Sequence, residues 1–207
     1  MHGGVACTQI VRLNAGSLFR QVNMKVTDCR SEIGKMGSIT IAPLASVEAV
    51  QRRQTISHAI SILGPKDGIN FPIIRAPHVL QLSFDDVGYT SAFGTAATTE
   101  DISDLIEFAR MWAGKGNLLV HCKAGTSRSP AAAMIALASL DALDLDKCLS
   151  DLLALRNYYR PNTTMLRIAE GILSKKGSLI EAARSTVQNA LPQTVSAATF
   201  KLTKTLS

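Results

Sequence analysis

Between Leu119 and Pro130, Cys122 stands six positions ahead of Arg128, and Ser129 follows at once. This spacing lets the intervening residues, Lys123, Ala124, Gly125, Thr126 and Ser127, curl into a ring whose backbone N–H groups point inward. Such a nest binds a tetrahedral oxyanion, and Gly125 permits the tight backbone it needs. Arg128 adds a planar fork that holds two oxygens of the same anion, which lysine cannot do. A free thiol is mostly protonated at neutral pH, but helix N-termini and neighbouring cations bring thiols down to roughly 3.5–7.5. Cys122 is therefore expected to rest as a thiolate and to attack an electrophile held in the ring. Ser129 is placed to donate a hydrogen bond to the sulfur and to help it leave again. His121 is expected to orient the loop through hydrogen bonds, because a thiolate needs no base.

The loop requires a strand behind it and a helix ahead, since helix N-termini attract anions. Leu118–Val120 is wholly apolar, the pattern of a strand buried on both faces of a parallel sheet. Pro130 suits a first helical turn, and an Ala-rich helix continues to about Leu140. Further strands are expected over 38–42, 59–63 and 79–84, each apolar and partly alternating. The strongest helix signal lies between them and the loop. Thr98 with Asp101 forms a capping box, and Ile102, Leu105, Ile106, Ala109 and Trp112 follow on one face. A modest helix capped by Ser46 is expected to reach Ser57, and others span 145–158, 163–174 and, weakly, 178–191. Gly64–Gly68 reads as a turn. Alternating strands and helices predict an α/β domain with a central, mostly parallel sheet flanked by helices. The ordered domain is expected over 38–175, with a loose extension at 1–37 and another at 176–207 that holds one helix before becoming disordered.

The formal charge is +6, yet residues 38–173 carry 12 Lys/Arg against 13 Asp/Glu, so the excess lies in the flanks. No nucleic-acid-binding face is expected. No apolar run approaches the length of about 20 residues that spans a bilayer, so no transmembrane segment is expected. The four cysteines, Cys7, Cys29, Cys122 and Cys148, follow no metal-ligand pattern, nor do His2, His58 and His78. No metal or other cofactor is expected. Reduced thiols point to the cytoplasm. Residues 1–27 contain Arg and no acid, which leaves organelle targeting by 1–37 open.

The run His121-Cys122, five residues, Arg128-Ser129 resembles the signature of the protein-tyrosine-phosphatase superfamily, particularly its dual-specificity branch. Leu119-Val120, Ser129-Pro130-Ala131, and Arg156 with Pro161-Asn162 extend the resemblance over roughly 38–173. It implies a dual-specificity-phosphatase-like fold and metal-free hydrolysis of phosphomonoesters through a phosphocysteine. It also implies an upstream aspartic acid that protonates the leaving oxygen. Asp85 and Asp86, 37 and 36 residues before Cys122, end a predicted strand. Asp86, followed by the small aliphatic Val87, is preferred as the acid, with Asp85 in support; the other reading is that one of the pair caps the following turn, and the two roles can be filled one by each. The implied substrates are phosphorylated proteins, phosphotyrosine first and phosphoserine or phosphothreonine besides. Lys123 also resembles the lysine after the cysteine in phosphoinositide and phospholipid phosphatases, so an anionic phospholipid head group is an alternative. A module that binds phosphorylated partners without turning them over is another.

Overall fold

The computed structural model describes residues 9–11, 37–140, 144–175, 177–185 and 194–202. Six strands form one sheet: β1 (Gln9–Val11), β2 (Ser38–Pro43), β3 (His58–Ile62), β4 (His78–Leu82), β5 (Asn117–Cys122) and β6 (Ala198–Lys201). Their order is β1-β4-β3-β5-β2-β6, parallel throughout except for β6, which runs antiparallel to β2. Among the described residues six α-helices accompany it: α1 (Val47–Arg53), α2 (Thr99–Trp112), α3 (Arg128–Ala138), α4 (Leu145–Ala154), α5 (Thr163–Leu173) and α6 (Ser178–Ser185). The fold is the expected α/β one, a mostly parallel sheet flanked by helices.

Side chains alternate across a strand, and here the alternation sorts two cores. Ile39, Ile41, Ile60, Ile62, Leu80, Leu82, Leu118, Val120 and Cys122 join α2 to α6 in the larger one. Ala42, Ala59, Val79 and Leu119 face the other way, against Val47 and Val50 of α1 and against Ile74 and Ala76. His121 and Ser61 share this second face, between neighbouring strands at matched register. Among the described residues, no helix is long and apolar enough to cross a membrane.

Several boundaries differ from the sequence expectation. Ser46 makes no side-chain cap bond, and the helix after it stops at Arg53 because Gln54 is already extended to reach β3. The helix expected over 145–158 ends at Ala154, and Tyr158 and Tyr159 instead bury their rings in the core. Part of the helix expected over 178–191 lies outside the described residues. Strand β5 runs on to Cys122, and α3 begins at Arg128, so the loop between them is tighter than the apolar pattern suggests. Two stretches expected to be loose each supply a strand. Gln9–Val11 pairs with β4 and Ala198–Lys201 with β2, which covers backbone groups that would otherwise form open sheet edges. Strands of three and four residues are too short to announce themselves by periodicity.

Candidate active site

The loop from Cys122 to Arg128 lies at the C-terminal end of β5, where parallel α/β sheets form ligand crevices. Its carbonyls are anchored outward. The Lys123 carbonyl accepts from Leu44 N at 3.2 Å, that of Thr126 from Arg160 N at 2.8 Å and that of Ser127 from Asn162 N at 3.3 Å. In a trans peptide the N–H points opposite to its own carbonyl, and none of the described bonds is cis. The amides of Ala124, Ser127 and Arg128 are thereby turned into the ring. Gly125 closes it with φ +73°, donating its own N–H to Cys122 Sγ at 3.2 Å. A Cβ there would come within 2.6 Å of Pro43 N, so both space and conformation require glycine.

Cys122 is 1% exposed, at the floor of the ring. Its sulfur lies 3.3 Å from Ser129 Oγ. Arg128 is 3% exposed and anchored on its far side, with Nη1 donating to Phe84 O and to Asp67 Oδ2, both at 2.9 Å, and Nη2 to Asp67 Oδ1 at 3.3 Å. Its Nε is buried with no hydrogen-bond partner among the described residues. Burial works against the guanidinium charge. The Asp67 hydrogen bonds and the negative charges around Cys122, Asp67 and Asp86 outweigh that, so its pKa lies above the ordinary value. Asp67 answers in kind. Burial alone would raise its carboxyl, but Arg128, the Gly64 amide and Lys123 hold it below the usual range.

His121 is fully buried, and its Nε2 lies 2.6 Å from Ser61 Oγ across the β3–β5 register. Burial first, and the Arg128 charge besides, lowers its pKa to about 4 against the pull of the adjoining backbone. The ring is neutral, held to β3 through Nε2, while its buried Nδ1 has no hydrogen-bond partner among the described residues.

The two candidate acids are separated by their surroundings. Asp85 is 5% exposed and accepts from Lys66 N at 2.8 Å through Oδ1 and from Thr95 N at 2.9 Å through Oδ2. Gly64 packs so closely that any Cβ there would strike this carboxylate. Asp86 is exposed beside the ring, and its Oδ1 accepts from Ser127 Oγ at 2.7 Å and Asn162 Nδ2 at 2.8 Å. Lys123 is also exposed. Its Nζ reaches Asp67, 3.2 Å from the backbone oxygen and 3.8 Å from Oδ1, so part of its charge is directed at that residue.

The structure thus gathers Cys122, Lys123, Ala124, Gly125, Thr126, Ser127, Arg128, Ser129 and Asp86 at the C-terminal end of β5, with His121 buried on the other face of that strand and Asp85 buried beside Asp86. Sequence reasoning overlooked Asp67 and Ser61. Asp67 falls in a turn whose composition explains an aspartate without function. Ser61 did leave a signal, as a polar residue between Ile60 and Ile62 in a buried strand.

No family model matches the chain, and no curated protein matches it. Among solved structures it is similar to DUSP15, at 19% identity and TM-score 0.50, covering 71% of this chain and 91% of that one. It is also similar to human DUSP28, at 18% identity and TM-score 0.48, covering 67% and 95%. PTPMT1 in complex with PI(5)P follows at 14% identity and TM-score 0.47, covering 69% and 90%. At these identities the likeness is one of fold.

Proposed function

We propose that the chain is a cysteine-dependent phosphomonoester hydrolase of the protein-tyrosine-phosphatase type, with residues 38–175 as its catalytic unit. One observation supports this above the others. A buried sulfur accepts from the Gly125 amide, beside an arginine whose Nε has no partner among the described residues, with a carboxylate at the rim. In this reading the phosphoryl dianion fills the ring, facing the amides of Ala124, Ser127 and Arg128 and the Arg128 Nε. The Cys122 thiolate forms a bond to phosphorus as the ester O–P bond breaks, and Asp86 gives its proton to the departing oxygen. Water then attacks the phosphocysteine and returns a proton to Asp86. The S–P bond breaks, and the Ser129 hydroxyl hydrogen-bonds the departing thiolate. Asp86 thus ends the cycle protonated, as it began.

Substrates in this reading are phosphorylated proteins, phosphotyrosine foremost, with phosphoserine and phosphothreonine as further candidates. The free thiols of Cys122 and Cys148 fit a reducing, cytoplasmic setting. Turnover of para-nitrophenyl phosphate in the presence of a chelator tests the reading. Cys122→Ser is expected to abolish that turnover while vanadate still binds. Full activity in the variant would refute the nucleophile, and an inert wild-type protein that binds phosphotyrosine would establish a binding module instead.

A further inference from the structure

Helix α5 begins with Asn162 as its N-cap, and both ends of its side-chain amide are engaged. Its Oδ1 accepts from Thr164 N and Met165 N, both at 3.1 Å, which settles which end of the amide is oxygen. The other end, Nδ2, is thereby directed at Asp86 Oδ1, 2.8 Å away. The backbone N of Asn162 meanwhile donates to the Ser127 carbonyl of the anion-binding loop. Ser127 donates its own hydroxyl to the same Asp86 oxygen at 2.7 Å. Two residues further on, Thr164 Oγ1 donates to Gly88 O at 2.9 Å, holding the segment that follows Asp86. One helix start therefore brackets the carboxylate, its loop and the ring together.

We propose that Asn162 is the positioning residue of the general acid: with Ser127 it saturates Asp86 Oδ1, so that Oδ2 carries the proton delivered to the leaving group. The inference rests on the phosphatase reading and extends it to a residue that touches no substrate. An amide N–H can only donate, so an oxygen facing both Asn162 Nδ2 and the Ser127 hydroxyl is kept as an acceptor. The proton is left on the oxygen those donors do not engage.

The experiment is the dependence of kcat/KM on the leaving group. Para-nitrophenolate departs without a proton, whereas the phenolate of phenyl phosphate needs one. Asn162→Ser keeps a good helix cap but is too short to reach Asp86. Ser127→Ala removes the second donor and leaves the α5 cap untouched. Each variant is expected to lose about tenfold more kcat/KM on phenyl phosphate than on para-nitrophenyl phosphate, within the range a general acid supplies. Asn162→Asp, which preserves the cap and replaces the donor with a repelling carboxylate, is expected to show the larger split. Equal losses on both esters, or no loss on either, would overturn the proposal and leave Asn162 as a helix cap alone. A wild-type protein that hydrolyses neither ester would remove the phosphatase reading, and this proposal with it.

Discussion

His121 has no access to solvent, and its neutral ring is the form the fold accepts. Its pKa of about 4 lies below the unfolded value near 6.5, so between these limits the unfolded chain binds the extra proton. Stability from this residue is therefore whole above pH 6.5 and is lost as pH falls toward 4, on the order of 3 kcal/mol in total. His58, half-buried, is shifted the same way by burial and by His78, and adds to the loss over the same window. The contribution of His121 is read as the difference between wild type and His121→Gln in urea unfolding at several pH values. The variant's curve is expected to be flatter. Gly125 makes a second prediction at this scale. Gly125→Ala places a Cβ against Pro43 N in a left-handed backbone, so the ring must open. A stability loss of about 1–3 kcal/mol is expected, with loss of vanadate binding by calorimetry. Asp67→Ala tests the ion pair behind the arginine. Breaking one partner of a buried pair typically costs about 3–5 kcal/mol. Vanadate, which supplies a new anion beside Arg128, is expected to stabilise the variant more than the wild type in the same unfolding assay.

At the scale of elements, legibility followed how local the determining interaction is. Helix α2 was readable because its cap and its apolar face lie in one continuous stretch. The Thr98 hydroxyl accepts from Asp101 N at 3.1 Å, and the Asp101 carboxylate accepts from Thr98 N at 2.8 Å. Thr98→Ala is expected to lower stability by about 1 kcal/mol, seen as a lower melting temperature with turnover unchanged, since the box lies outside the loop from Cys122 to Arg128. The β5–α3 junction was readable for the same reason, as strand, glycine, arginine and proline adjoin in sequence. Strands β1 and β6 were not, because what orders them is a partner edge far along the chain. Ser46 misled for a related cause. A serine before an apolar run has the right chemistry for a cap, but a preceding 3-10 turn at Leu44–Ser46 takes the backbone out of the geometry a cap requires.

At the scale of the molecule, four segments distant in sequence meet because three parallel strands end at one edge. The segment after β3 brings Asp67, that after β4 brings Asp85 and Asp86, β5 delivers Cys122, and α5 starts at the same place. Asp85 ties two of these together, since its carboxylate accepts from Lys66 N on one loop and Thr95 N on the other. Adjacent aspartates thus sit in opposite surroundings, Asp85 buried and Asp86 exposed; sequence preferred Asp86 as the acid but left open which of the pair caps the turn, because burial is decided by what the other strands bring. The division predicts opposite signatures. Asp86→Ala, at an exposed residue, is expected to melt within about 0.5 kcal/mol of wild type yet lose about a hundredfold or more of turnover on phenyl phosphate. Asp85→Ala strands two backbone donors that have little access to water and is expected to cost about 2–5 kcal/mol. Its turnover should fall as well, because Asp67 and the acid loop lose their common anchor, but equally on para-nitrophenyl and phenyl phosphate. If instead Asp85→Ala spared stability and selectively lost phenyl phosphate, the two roles would be exchanged, and the exposed carboxylate held by Asn162 would be the anchor.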